Sequence, residues 1–269
     1  MVLLHGFPYD ARGFGRVAEL LAEDGAHVVV PWMRGYGGTR FTDPATMRSG
    51  QQAAIAHDLL ELMDALGLES PLLAGYDWGG RAACVVAALW PERVSGLVSG
   101  NGYLLQDIAG SRSPAVPRLE RRHWYQYYLH GERGREGLRQ HRDELARLLW
   151  AEWSPTWAFS DEEFEATRSA FHNTDFVDVC VHSYRHRFGL VDGDPVYAET
   201  ERRIADLPLI NVPTVVVDGE HDTVTPAQSR EEHAPHFLRL VDYRLLDAGH
   251  ALPQEVPEEF AQAVLDLRH

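Results

Sequence analysis

Short, nearly unbroken apolar runs alternate with helical patterns through the first hundred residues. Val2-Leu3-Leu4 ends at His5-Gly6-Phe7-Pro8, Ala26 to Val30 at Pro31, Pro71-Leu72-Leu73-Ala74 at Gly75-Tyr76, and Val94 to Ser99 at Gly100-Asn101-Gly102. The intervening stretches predict helices over Phe14–Ala22, Met47–Leu66 and Arg81–Trp90, with Gly67 closing the second as a C-terminal cap. Strands with no polar alternation belong to parallel sheets covered on both faces, so the order strand, helix, strand predicts an α/β fold. The pattern resumes with strands at Thr214–Val217 and Tyr243–Leu246, and Pro257–Leu267 reads as a closing helix with proline in its first turn. Residues 110–207 differ: they are dense in Trp, Tyr, His and Arg and lack apolar runs bounded by turns. The expectation is a core formed by 1–109 and 208–269, with a helical cap, 110–207, inserted over the carboxyl edge of the sheet.

Composition narrows the class without naming a chemistry. Among 269 residues, 45% hydrophobic and 24% charged is ordinary for a folded globular chain and excludes disordered or collagen-like sequences. A net charge of −15 argues against nucleic acid and anionic lipid, which need clustered cations. The 14 histidines fall into no metal-ligand spacing, so neither a metal nor a cofactor is expected. Only two cysteines, Cys84 and Cys180, and no apolar run near 18 residues point to a cytoplasmic protein with no membrane span. A homodimer is left open.

Candidate chemistry sits at the ends of the expected strands. Gly75-Tyr76-Asp77-Trp78-Gly79-Gly80 lies between a strand and a helix, the setting of a nucleophile elbow, with Asp77 in the nucleophile position. An aspartate before a helix is also a common N-cap. Two partners weigh against that simpler role: Gly219-Glu220-His221-Asp222 follows one late strand and Ala248-Gly249-His250 follows the next. The order Asp77, Asp222, His250 is that of nucleophile, acid and base in α/β-hydrolases, at the strand ends where such sheets place their sites. Asp218 and Glu220 are rival acids, but Asp222 lies in the loop beyond the strand.

With these motifs, together with His5-Gly6-Phe7-Pro8 and Arg34-Gly35-Tyr36-Gly37-Gly38, the sequence resembles the α/β-hydrolases with an aspartate nucleophile, specifically the epoxide hydrolases. The resemblance implies an oxyanion hole from the backbone N–H groups of Phe7 and Trp78. It also implies a pair of cap tyrosines, Tyr125 in His123-Trp124-Tyr125-Gln126 and Tyr184 in Ser183-Tyr184-Arg185, with Tyr127 and Tyr128 as rivals for the first. The family normally carries two further strands and a hairpin before the His-Gly-x-Pro loop, whereas this sequence begins four residues ahead of it. The outer edge of the Ala26–Val30 strand is therefore expected to be exposed.

An aspartate nucleophile suits a saturated carbon bearing a leaving group, because attack makes an ordinary ester that activated water can cleave. Epoxides and alkyl halides are the natural electrophiles. The resemblance favours a small-molecule epoxide, opened through an ester on Asp77 that His250-activated water hydrolyses. A haloalkane or haloacid dehalogenase with the same nucleophile is the alternative, using Trp78 with His123 and Trp124 on the halide. A third expectation is a binding protein that kept the fold without turnover. Trp124, Tyr127, Trp150, Trp153, Trp157, Phe159 and Phe171 suggest a roomy aromatic pocket for a bulky or polycyclic epoxide, with Trp124, Tyr127 and Trp153 on the substrate.

Overall fold

The structure is a computed structural model that describes residues 1–268. Five parallel strands stand side by side in chain order: β1 (Val2–Leu4), β2 (Leu72–Tyr76), β3 (Gly96–Gly100), β4 (Thr214–Gly219) and β5 (Leu240–Leu246). Every residue of β1 to β4 is buried, which explains their unbroken apolar runs, while edge strand β5 is half-exposed. Helices α1 (Gly15–Glu23), α2 (Gln52–Ala65) and α3 (Asp77–Leu89) follow the first strands. Ten more complete the chain: α4 (Pro117–Glu120), α5 (Trp124–His130), α6 (Glu132–Gln140), α7 (Arg142–Trp153), α8 (Asp161–Arg168), α9 (Phe176–His186), α10 (Ala198–Ala205), α11 (Arg230–His233), α12 (Leu252–Glu255) and α13 (Pro257–Leu265). No helix of the described residues is long and apolar enough to cross a membrane.

Three local expectations are corrected. The strand expected over Ala26–Val30 reduces to one parallel bridge, in which Leu3 N–H donates to Val29 O and Val29 N–H to Met1 O, each at 2.9 Å. With pairing on the β1 side alone, two hydrogen bonds are too few to hold an extended run as a ladder. The helix expected from Met47 begins at Gln52, because Ser49 and Gln51 fold into a buried polar turn closed by a 2.7 Å hydrogen bond between their side chains. The helix expected from Arg81 begins at Asp77, four residues earlier.

From α4 to α9 the chain is helical and stacks its aromatic rings mostly on one another. Trp150 lies 5.0 Å from the Tyr9 ring and 5.2 Å from Trp157, and its indole N–H donates to Pro8 O at 2.8 Å. Phe159 and Phe164 close around the same indole at 5.3 Å each. That ring cluster fastens the helical layer to the His5–Pro8 loop.

Candidate active site

Asp77 occupies the left-handed region, with φ +48°, at the joint where β2 turns into α3. A non-glycine residue is held there only when its surroundings over-determine it, and such strain gathers at functional sites. Close packing supplies the constraint. A Cβ on Gly79 would run into the carbonyls of Leu4 and His5, and one on Gly75 into the backbone of Gly79 and Gly80. On the facing loop, a Cβ on Gly6 would strike the Asp77 side chain. These glycines let the β1 loop close onto the elbow, where Phe7 N–H donates to Asp77 Oδ1 at 2.8 Å. Of the two expected oxyanion-hole amides, the structure places Phe7 at the carboxylate. The Trp78 amide makes no hydrogen bond to it among the described residues. His5 braces the loop from behind: buried and pushed towards its neutral form by that burial, it accepts from Met33 N–H through Nε2 at 3.1 Å.

His250 and Asp222 meet under this elbow. His250 Nδ1 lies 2.7 Å from Asp222 Oδ2, and its Nε2 lies 3.9 Å from Asp77 Oδ2 with no hydrogen-bond partner. The other Asp222 oxygen accepts from the N–H groups of Val224 and Thr225, both at 2.8 Å, so the acid is fixed at both ends. Burial pushes the imidazole pKa down, but the charge and hydrogen bond of Asp222, followed by the charges of Asp77 and Glu255, more than offset it. His250 therefore titrates above an ordinary histidine. The rival acids lie elsewhere: Asp218 is bonded to His233 Nε2 at 2.8 Å, and Glu220 is exposed.

Two residues of this assembly escaped the sequence reading. Asn101, at φ +72°, accepts from Asp77 N–H at 3.3 Å and donates to Asp222 Oδ2 at 3.1 Å, joining nucleophile loop to acid loop. Its signal was the Gly100-Asn101-Gly102 turn, since asparagine tolerates the left-handed region best after glycine. Ser154, at the end of α7, accepts from His250 N–H at 2.9 Å and donates to Glu255 at 2.6 Å, and no pattern in the sequence marks it.

Above Asp77 stands an aromatic wall. The Phe7 ring lies 5.2 Å from Tyr184, 5.8 Å from Trp78, 6.2 Å from Tyr125 and 6.3 Å from Trp153. Tyr125 and Tyr184 meet edge to face at 5.4 Å, and Trp153 lies 5.1 Å from the His250 ring. Burial pushes the Tyr125 phenol up to about 12 and Tyr184 well above an ordinary phenol, so both keep their protons at neutral pH. Trp124 and Tyr127 do not join this wall, contrary to the sequence expectation. On α5, Tyr125 and Leu129 take the buried face, one helical turn apart. Trp124 turns its indole N–H to Glu152 at 3.0 Å, and Tyr127 is 37% exposed with its hydroxyl on Glu120. Tyr128 points its hydroxyl at α6 beside Gly137. Trp150, Trp157 and Phe159 fill one another's space, and a cavity reaching Asp77 measures about 260 Å³.

Among the described residues, one group could ligate a metal, Glu220 and His221 of the acid loop with Asp247, on its exposed side.

Residues 1–255 match the family described as alpha/beta hydrolase fold. Epoxide hydrolase A of Mycobacterium tuberculosis is 26% identical over an alignment covering 99% of this chain and 89% of that protein. Epoxide hydrolase 3 of Siraitia grosvenorii is 32% identical over 120 residues, 45% of this chain and 36% of that protein. Among solved structures, a Klebsiella pneumoniae protein provisionally assigned as an epoxide hydrolase superposes with a TM-score of 0.96 at 43% identity, over 99% of this chain and 88% of that one.

Proposed function

The chain is an epoxide-hydrolase-like enzyme of the α/β-hydrolase family, and from that premise we propose that it opens an epoxide to a vicinal diol through an ester on Asp77. The observation that carries the proposal is the division of labour between the two Asp77 oxygens. Oδ1 is engaged by Phe7 N–H, while Oδ2 faces the unpartnered His250 Nε2 at 3.9 Å, beneath the tyrosine pair. Oδ2 attacks an epoxide carbon and the carbon–oxygen bond breaks. Tyr125 or Tyr184 gives its proton to the departing oxygen, and the second phenol shares the developing charge. Water then adds to the Asp77 carboxyl carbon as His250 Nε2 takes its proton. The negative charge gathers on Oδ1 against Phe7 N–H, collapse expels the diol with the proton from His250, and the proton left on the Asp77 carboxyl returns to the tyrosinate. Residues 110–207 serve in this scheme as the cap that brings the two phenols over the nucleophile.

A dehalogenase would need N–H donors on the halide. The Trp78 indole N–H is buried without a partner and could serve, but the Trp124 indole is engaged by Glu152 and the position after Gly6 holds Phe7. The proton-donating pair therefore favours an epoxide.

His250→Gln tests the mechanism. It leaves alkylation intact and removes the base, so the peptide containing Asp77 should gain the mass of the intact epoxide substrate. Parent-rate turnover by this variant removes His250 from the mechanism. Tyr125→Phe and Tyr184→Phe should each slow alkylation by about one to three orders of magnitude, and the double variant should be nearly inactive.

A further inference from the structure

Two arginines in this protein are equally buried and differ in their company. Arg34 is 7% exposed and holds Asp58 with both arms of its guanidinium, at 2.5 and 2.6 Å. Arg81, also 7% exposed, has no carboxylate: its Nε donates to Leu104 O at 3.3 Å, and no ion pair forms at its other nitrogens among the described residues. It stands four residues after Asp77 on α3, hence on the same helix face as the nucleophile. Arg187, just beyond α9, is similarly unpaired. Its guanidinium lies 4.4 Å over the Tyr184 ring, its strongest polar contact is Ser183 Oγ at 3.4 Å, and its Nε is buried with no partner. Both side chains line the cavity that ends at Asp77.

A buried guanidinium without a counter-ion is costly, and a chain with 40 acidic residues does not lack carboxylates to supply one. Burial and then the neighbouring charge of Arg187 push Arg81 down to about 10, whereas the Asp58 carboxylate holds Arg34 above its ordinary value. Asp77 is the one acid lining that cavity, and it becomes a neutral ester halfway through the proposed reaction. Two uncompensated positive charges would then face the bound substrate.

We propose that Arg81 and Arg187 anchor a carboxylate on the substrate, so that the enzyme acts on a short epoxy acid; the proposal rests on the epoxide reading above. The planar fork of a guanidinium matches a carboxylate in two parallel hydrogen bonds, which fixes orientation as well as supplying charge. The carboxylate takes no part in bond making. Asp77 opens the ring, one water is consumed, and the product is a dihydroxy acid. A cavity of about 260 Å³ suits an acid of a few carbons.

The test compares glycidate with its uncharged amide, glycidamide, which share the epoxide and differ in the acid. The parent should open glycidate with a kcat/KM at least about tenfold higher. Arg81→Gln and Arg187→Gln should each reduce that preference by about tenfold or more, chiefly through KM for the acid. Equal or faster opening of glycidamide by the parent overturns the proposal. So do equal losses on both substrates, which would mean that the arginines act on the tyrosines instead. Calorimetry with cyclopropanecarboxylate, which has no ring oxygen to open, separates this proposal from the epoxide reading. Binding to the parent but not to Arg81→Gln, with neither epoxide opened, would retain the anion site and dismiss the epoxide reading. Opening of both epoxides without binding of the carboxylate would do the reverse, and failure of both would dismiss both. Circular dichroism of Arg81→Gln and Arg187→Gln establishes that each is folded.

Discussion

Asn101 contacts no reacting atom, yet its amide spans the gap between the Asp77 backbone and the Asp222 carboxylate. It is a positioning residue, and Asn101→Gly isolates that role because glycine keeps φ +72° without strain while losing both hydrogen bonds. On the proposed mechanism the variant should hydrolyse the alkyl-enzyme about tenfold to a hundredfold more slowly, with alkylation less affected, since the acid would orient the base of the second step. Single-turnover kinetics read the two steps separately. The same geometry sets the pH dependence. In the resting protein the negative charge of Asp77 helps to hold the His250 pKa up, and the proposed alkylation would remove that charge. Hydrolysis needs the neutral imidazole, so its rate should rise with pH. It should level off at a lower pH than the titration of His250 in the free protein followed by nitrogen NMR. Coincident curves would mean that His250 does not sense Asp77. At this scale Asp77, Asp222 and His250 were legible because each follows an apolar strand run in a recognised order. Asn101 and Ser154 were not, because their work is to bridge loops that lie 121 and 96 residues away.

The elbow owes its shape to small residues in two elements at once. Gly79→Ala places a methyl group against the carbonyls of Leu4 and His5, which belong to strand β1 and its loop and cannot move aside as a side chain would. Such overpacking typically costs about 1–3 kcal/mol, and here it should also draw Phe7 N–H away from Asp77. Thermal unfolding should show a lower midpoint, and activity should fall further than stability predicts. An unchanged midpoint would show that β1 and α3 are less tightly opposed than the geometry requires. Strands and helices of the core were legible from apolar periodicity, but the direction of individual side chains within α5 was not. Trp124, Tyr125, Tyr127 and Tyr128 are four aromatic rings within five residues, a pattern that wraps around the helix instead of marking one face. The phase is decided by where α5 packs against α6 and against α9, the latter distant in sequence. The same limit applies to Ala26–Val30, whose composition is strand-like while its partner lies on one side only.

Over the whole molecule, the two thiols report on global integrity. Cys84 and Cys180 are fully buried, and burial pushes both above the ordinary thiol range. An aromatic disulfide reagent should label neither in the native state and both on unfolding, and rapid labelling of either under native conditions would contradict the packing of α3 or α9. That only helices lie between β3 and β4 among the described residues was legible in the sequence, because the strand rhythm stops and resumes; how these helices are joined to the strands was not. Ser154 ends α7 and fastens the His250 backbone, and Thr223 N–H, next to the acid, donates to Trp153 O at 3.4 Å. The helical layer and the loops bearing acid and base are thus one mechanical body, and a cover hinged at α7 would drag Asp222 and His250 out of register as it swung. For the proposed reaction such a body would work as a sieve, with girth deciding admission. An oversized epoxide would be turned away at the threshold, before its carbon ever met a nucleophile.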